Sequence, residues 1–143
     1  MKTLNFVSAD EAVSHIPSHS HVHLSSVASV PHCLIQALCR RADAGDVTDL
    51  HFHHFHTEGP APYSEPQYEG IFFEQGFFIG PNVRKNVNSG YADYLPVHLG
   101  ESQALYRRGV IKLSAALVNI SLPDQNGMVS LGTPVDCSVA AIE

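Results

Sequence analysis

Two rhythms of apolar and polar positions alternate along this chain. Leu34, Ile35, Leu38, Cys39 and Ala42 fall at the three-to-four spacing of a helix, with Pro31 suited to its first turn and Gly45 to its end. Upstream, Ser8-Ala9-Asp10-Glu11 reads as a capping box, in which Ser8 accepts from the Glu11 amide and Glu11 reaches back. That box opens a short helix to about Ile16, and Pro17 stops it. Between the two helices, 21–28 (HVHLSSVA) reads as a strand, and Val47 to Phe55 reads as the next. Residues 57–70 hold three prolines and two glycines, so they form a long loop, and a long loop in a compact domain is usually functional or packed on a partner. Then come a short buried strand at 76–80 (GFFIG), a helix from Pro81 through Val87 closed by Gly90, and a strand at 94–99. A helix at 101–108 ended by Gly109 and an apolar strand at 115–122 follow. Asn126-Gly127 predicts a tight reversal into a returning strand at 128–131, and a last helix starts in DCSVAAIE.

Strand and helix thus alternate. The order predicts an α/β fold: a mostly parallel, open sheet with helices on both faces, in one domain spanning 1–143. Ligands on such sheets gather beyond the carboxyl ends of the strands, here in the loops at 27–31, 56–70, 79–81 and 123–127.

Composition narrows the function. The net charge is −6 with only 8 Lys plus Arg, which argues against nucleic acid, where clustered positive charge must displace counterions. Arg40-Arg41 and Arg107-Arg108 read as ordinary charges at helix C-termini. No apolar run reaches the roughly 20 residues that span a bilayer, and the start, MKTLNFVSADEA, has no leader-like apolar region. The odd count of 3 cysteines fits reduced thiols in a cytoplasm. Cys33 and Cys39, both on the second helix, are expected to be buried there.

Histidine is the conspicuous residue type. HSHVH occupies 19–23, and His51, His53, His54 and His56 crowd the second strand. Imidazoles two residues apart on a strand share a face and can hold zinc. Yet 51 and 53 point one way and 54 and 56 the other, which disperses them, and no H-E-x-x-H or finger-type Cys/His spacing occurs. The expectation is no metal, with strand-end imidazoles bonded to backbone or water. Glu58, Glu65, Glu69 and Glu74 surround the long loop, where a carboxylate can act as base or nucleophile but is far more often solvated. Arg84 reads as a surface residue. Asp124 suits an Asx-turn that sets up the 126–127 reversal. Ser29-Val30-Pro31 lies at a strand-to-helix turn whose amides can meet an anion.

Taken together, ADEAVSHI (9–16), ASVPHCLIQAL (28–38), EGPAPYSEPQY (58–68), FFIGPNVRKNVNSGYADYLPVHLGESQALYRRG (77–109) and VNISLPDQNGMVSLGTPVD (118–136) resemble the N-terminal half of the acetyl-CoA hydrolase/transferase family. These are class I CoA-transferases, including 4-hydroxybutyrate, butyryl and acetate CoA-transferases. S-x-P-D-x-x-G-x-x-S-L-G at 121–132 is the most specific block. The chain departs from the pattern at 18–21, SHSH, where relatives turn through Gly-Asp and where an αL-tolerant His or Ser must serve, and at Leu122, usually proline. The resemblance implies a CoA-transferase (NagB-like) N-terminal domain, with coenzyme A as substrate and acyl-CoA and short carboxylic acids as partners. It also implies a glutamate nucleophile that forms an acyl anhydride and then a glutamyl-CoA thioester. That glutamate belongs to the family's C-terminal half, which this chain is expected to lack, so no catalytic residue is assigned here. The half is expected on the same or a separate polypeptide, and a homo-oligomer is compatible. By strand-end position Ser29, Val30, Pro31, Tyr63 of the 57–66 loop, and Gly80 are the substrate-pocket candidates. The competing reading is a non-catalytic, histidine-rich metal-binding or interaction module.

Overall fold

The computed structural model describes residues 6–143; the very start of the sequence, read above for a leader, lies outside the described residues. Five strands, β1 (Ser20–Leu24), β2 (Leu50–His54), β3 (Phe72–Gly76), β4 (Ala92–Tyr94) and β5 (Leu113–Leu117), form one sheet in the order β4-β3-β2-β1-β5. Every pairing is parallel, as the alternation of elements predicts. The helices are α1 (Ala9–Ser14), α2 (His32–Asp43), α3 (Arg84–Ser89), α4 (Leu99–Arg107) and α5 (Ser138–Ile142).

Both faces are covered. One face buries Val22, Leu24, Leu50, Phe52 and Phe72 against Val13 and Ile16 of the α1 region and Ile35, Leu38 and Cys39 of α2. The opposite face is thinner: Phe77, Tyr106 of α4, and Cys137 and Ala140 at α5 make a second, smaller cluster. Among the described residues no helix is long and apolar enough to cross a membrane.

Local signals landed closely where side chains cap. Ser8 Oγ accepts the Glu11 N–H at 3.1 Å. Gly90 takes φ 80° and donates to the carbonyls of Asn86 and Val87, ending α3 as its lack of a Cβ permits. His19 fills the turn before β1 at φ 60°, the left-handed conformation that the missing Gly-Asp pair requires. Arg41 does more than complement a helix end. Its guanidinium donates to the carbonyls of Val13 (2.6 Å), Ile16 (2.8 Å) and Asp46 (3.1 Å), tying α1 to α2. Cys39 is buried as expected; Cys33 is exposed, because it faces outward on α2.

Strand boundaries differ more. β1 stops at Leu24 instead of reaching 28, because the chain turns at Val27. The third strand lies at 72–76 rather than 76–80: the ladder to β2 runs Leu50↔Phe72 to His54↔Gly76. Glu74 sits inside this strand and hides it from a reading that seeks apolar runs. The apolar 77–78 pair is its exit, where the Phe77 and Phe78 amides donate to His54 and Phe55. β4 ends at Tyr94, ahead of Pro96, whose missing N–H cannot extend a ladder. β5 covers 113–117 rather than 115–122. The reversal at 126–127 forms: Asp124 Oδ1 accepts the amides of Asn126 (2.8 Å) and Met128 (2.9 Å). The Ser121 amide meets the Ser130 carbonyl (2.8 Å), but no strand spans 128–131. The 57–70 loop folds into two 3-10 turns, Pro62–Ser64 and Pro66–Tyr68.

Candidate functional site

Parallel pairing puts every carboxyl end on one edge of the sheet, and the loops leaving β1, β2, β3 and β5 meet there. Ser25 Oγ donates to the Ser29 carbonyl, which also accepts from the Asn119 side-chain amide at 3.0 Å. The same amide approaches the Val30 carbonyl at 3.3 Å. Ser26 Oγ accepts the Phe55 amide at 3.0 Å. Between these anchors Val27 adopts φ 54° while its N–H donates to the His56 carbonyl at 2.9 Å, and it bridges to Thr57. A β-branched residue in that conformation is strained, and the surrounding bonds hold it there. The residue is 46% exposed and lines a cleft of about 500 Å³ with Phe55, His56, Leu99, Thr133 and Pro134.

A second cleft, about 370 Å³, opens between the long loop and α3. Its floor is a polar network. Thr57 Oγ1 hydrogen-bonds Tyr63 Oη (2.9 Å) and accepts from the Asn82 amide (3.1 Å), which also donates to the Gly59 carbonyl (3.2 Å). Burial, then the Glu74 carboxylate, raises the Tyr63 hydroxyl well above the usual phenol range, so it remains a neutral donor. Gly80 lets the 79–81 loop approach this network: a Cβ there would lie 2.7 Å from Asn82 Oδ1 and 3.3 Å from the Thr57 carbonyl oxygen.

The pocket candidates therefore fall into two groups. Tyr63 and Gly80 meet around Thr57 and Asn82. Ser29, Val30 and Pro31 are buried at the turn into α2. The Ser29 amide is taken by the Ser26 carbonyl (3.0 Å), and Ser29 Oγ faces Thr133 Oγ1 at 3.0 Å, so the turn is braced against the 118–136 segment. Sequence reading missed Val27, Asn82 and Asn119. Positive φ at a valine leaves no trace in composition, and an asparagine's partners 89 and 90 residues away have no local signature.

Glu74 is not solvated with the loop glutamates. It is buried on β3, with Oε1 3.0 Å from His54 Nε2 in a sealed contact that lies off the hydrogen-bonding direction. Glu58, Glu65 and Glu69 are exposed. The β2 histidines split as expected, His51 and His53 on one sheet face and His54 on the other, but His21 and His23 of β1 stand beside the first pair. Among the described residues, His23, Asp136 and Cys137 offer ligand atoms all within 4.8 Å of one another. This trio is closed: Tyr106 Oη takes His23 Nδ1 (3.1 Å) and Ser138 Oγ takes Nε2 (3.0 Å). Burial pushes the Cys137 thiol up to about 12, with the Asp136 charge adding, and brings His23 down to about 4 against the pull of Asp136, so both are neutral near pH 7.

The comparisons agree with this architecture. Residues 3–143 match the family model described as acetyl-CoA hydrolase/transferase N-terminal domain. The chain is 37% identical over 134 residues to a succinyl-CoA:acetate/propanoyl-CoA:succinate CoA transferase of Fasciola hepatica, covering 94% of this chain and 28% of that one. It is 31% identical over 137 residues to a 4-hydroxybutyrate coenzyme A transferase of Clostridium kluyveri, covering 96% and 32%. Among solved structures, RipA from Yersinia pestis superposes with TM-score 0.81 at 25% identity, covering 94% of this chain and 33% of RipA. A 4-hydroxybutyrate CoA-transferase from Porphyromonas gingivalis gives 0.73 at 26%, covering 94% and 30%. The chain thus spans about a third or less of the length of these relatives. It belongs to the acetyl-CoA hydrolase/transferase family, as a member of its N-terminal domain group.

Proposed function

We propose that this domain forms the acyl-binding side of a CoA-transferase cleft and acts with a segment, on the same or another polypeptide, that carries the attacking glutamate. The observation that carries the reading is the strand-edge cleft in which strained Val27 stands between His56 and the 133–134 stretch. Coenzyme A is the substrate, passing between an acyl-CoA and a short carboxylate. The glutamate carboxylate attacks the thioester carbonyl and expels CoA thiolate, leaving an acyl-glutamyl anhydride. The thiolate then adds to the glutamyl carbonyl and releases the acyl group as its carboxylate; an incoming acid reverses both steps. None of this domain's loop glutamates is assigned that role, and Glu74 is sealed against His54. Val27 reaches the acyl group, Ser29, Val30 and Pro31 support the turn behind it through the Ser29–Thr133 contact, and Tyr63 and Gly80 shape the neighbouring cleft under the long loop.

Exposed apolar residues along the 118–136 segment, Ile120, Leu122, Met128, Val129 and Val135, support docking of further structure on this side. The free thiols of Cys33, Cys39 and Cys137 support a reducing, cytoplasmic setting. The test mixes this chain with the glutamate-bearing segment of a relative and follows CoA exchange between acetyl-, propanoyl- or succinyl-CoA and acetate. Exchange should require both parts, and Val27→Ala should shift the ratio of kcat/KM values between short and longer acyl groups by about tenfold, the scale of one or two methylenes in an apolar pocket. Exchange by this chain alone, or a Val27→Ala mixture with unchanged ratios, would refute the respective half of the proposal.

A further inference from the structure

The apolar cleft at the strand edge has a single carboxylate in its wall. Val27, Phe55, Leu99, Pro134 and Val135 make up most of that wall, and Asp136 lines it with them. Among the described residues no lysine or arginine does. The other titratable group there, His56, already has a carboxylate beside it, its Nε2 lying 3.2 Å from Glu58 Oε1. Ser26 Oγ is engaged by the Phe55 amide and Thr133 Oγ1 by Ser29 Oγ, each at 3.0 Å.

Asp136 is held in place. The amide and the hydroxyl of Ser138 both donate to its Oδ1 at 3.0 Å, and its backbone carbonyl accepts Gln103 Nε2 at 2.9 Å. Ser138 is itself fully buried, and its Oγ also meets His23 Nε2 of β1 at 3.0 Å. With both donors on Oδ1, Oδ2 has no hydrogen-bond partner among the described residues. A side chain tied to buried donors cannot swing away from an incoming charge, and apolar walls reduce the screening that water would provide. An acyl group ending in a second carboxylate would therefore meet a like charge and no unpaired cation, a juxtaposition that costs well over tenfold in affinity. An uncharged end meets no such penalty, and one that carries an O–H or N–H can donate to Oδ2.

We propose that Asp136 is a specificity-determining residue, which restricts the strand-edge cleft to acyl groups with an uncharged far end and turns away those with a second carboxylate. This selection rests on the acyl-binding role of the cleft and defines the class of acyl group that the cleft admits. It works by repulsion of the wrong group rather than by a closer fit to the right one.

The test titrates the isotope-labelled full chain, followed by heteronuclear NMR, with three N-acetylcysteamine thioesters: butanoyl, succinyl and succinamoyl, the last an uncharged amide of the same shape as succinyl. Butanoyl and succinamoyl should shift the Val27, Thr133 and Asp136 amides saturably. Succinyl should bind at least about tenfold more weakly than succinamoyl, and the gap should narrow as salt rises. Asp136→Asn should reduce that gap to within about threefold, whereas Glu58→Gln, which removes the carboxylate beside His56, should leave it. Circular dichroism accompanies Asp136→Asn, because the change also touches the bonds to Ser138; if that variant misfolds, the wild-type succinyl and succinamoyl pair and Glu58→Gln decide. Equal binding of succinyl and succinamoyl, a gap that survives Asp136→Asn, or a gap that closes in Glu58→Gln would overturn the role of Asp136 and leave the acyl role of the cleft standing. No saturable shift with any of the three would remove the cleft as an acyl site, and this selection with it.

Discussion

Val27 holds a branched side chain at φ 54°, where an L-residue other than glycine pays roughly 1–2 kcal/mol. The bonds from its own N–H to His56, from Ser25 Oγ to Ser29, and from Phe55 to Ser26 keep it there. The strain makes an unusual forecast: Val27→Gly, which would weaken an ordinary strand-exit position, should leave the chain as stable or raise it by up to about 1 kcal/mol in urea unfolding, relief of strain outweighing the added freedom of the unfolded chain. A loss above about 1 kcal/mol would show that the side chain contributes more by packing than it costs in backbone conformation. At this scale the sequence was readable wherever a side chain answers to its own neighbours. Ser8, Asp124 and Gly90 did what their types dictate, and His19 took the left-handed turn that SHSH demanded. Val27, Asn82 and Asn119 answer to distant backbone, so their roles had no local signature.

Between elements, the same limit applies to arginine. Arg40 and Arg41 are adjacent and look equivalent in sequence, yet they face different surroundings. Arg40 pairs with exposed Asp10 at 2.7 Å, a contact of the kind typically worth under about 1 kcal/mol. Arg41 turns into the α1–α2 junction and satisfies three carbonyls, two of them from the buried residues Val13 and Ile16. Arg41→Ala should therefore cost about 2–3 kcal/mol, since charged hydrogen bonds are lost and buried acceptors are left unmet. Arg41→Lys should recover little, because an ammonium lacks the planar fork that reaches all three oxygens. Arg40→Ala serves as the comparison, and denaturant midpoints of the three variants decide; equal losses at 40 and 41 would reduce Arg41 to a surface charge. Strand limits failed for a related reason. A ladder is fixed by its partner's register, so Glu74 can sit within β3 because His54 lies beside it, although alternation alone would exclude a buried carboxylate.

At the level of the whole molecule, the fold class was legible because alternating helix and strand with Pro and Gly punctuation leaves few ways to cover a parallel sheet. The gathering of loops at one strand edge was legible for the same reason, whereas the imidazoles placed side by side on β1 and β2 were not: periodicity along one strand cannot reveal which residues of another strand will stand beside it. The two-sided burial also predicts how the molecule responds to alkali. Burial, chiefly, pushes the thiols of Cys39 up to about 11 and Cys137 up to about 12, each anchoring a different face of the sheet. In the unfolded chain these thiols ionise near their ordinary value of about 8.5–9. Above that pH the unfolded state has released protons that the folded state still binds. Stability is thus full below about pH 8.5 and falls as pH rises toward the folded values, Cys137 alone contributing a slope approaching about 1.4 kcal/mol per pH unit. Cys137→Ala should flatten the fall, after allowance for its packing loss. Thiol labelling offers a second reading of the same physics. At pH 8 the native chain should react rapidly at exposed Cys33 only, with Cys39 and Cys137 becoming reactive in denaturant or as the alkaline transition begins. Rapid labelling of all three thiols in the native chain would mean that the two sheet faces open far more readily than their burial implies.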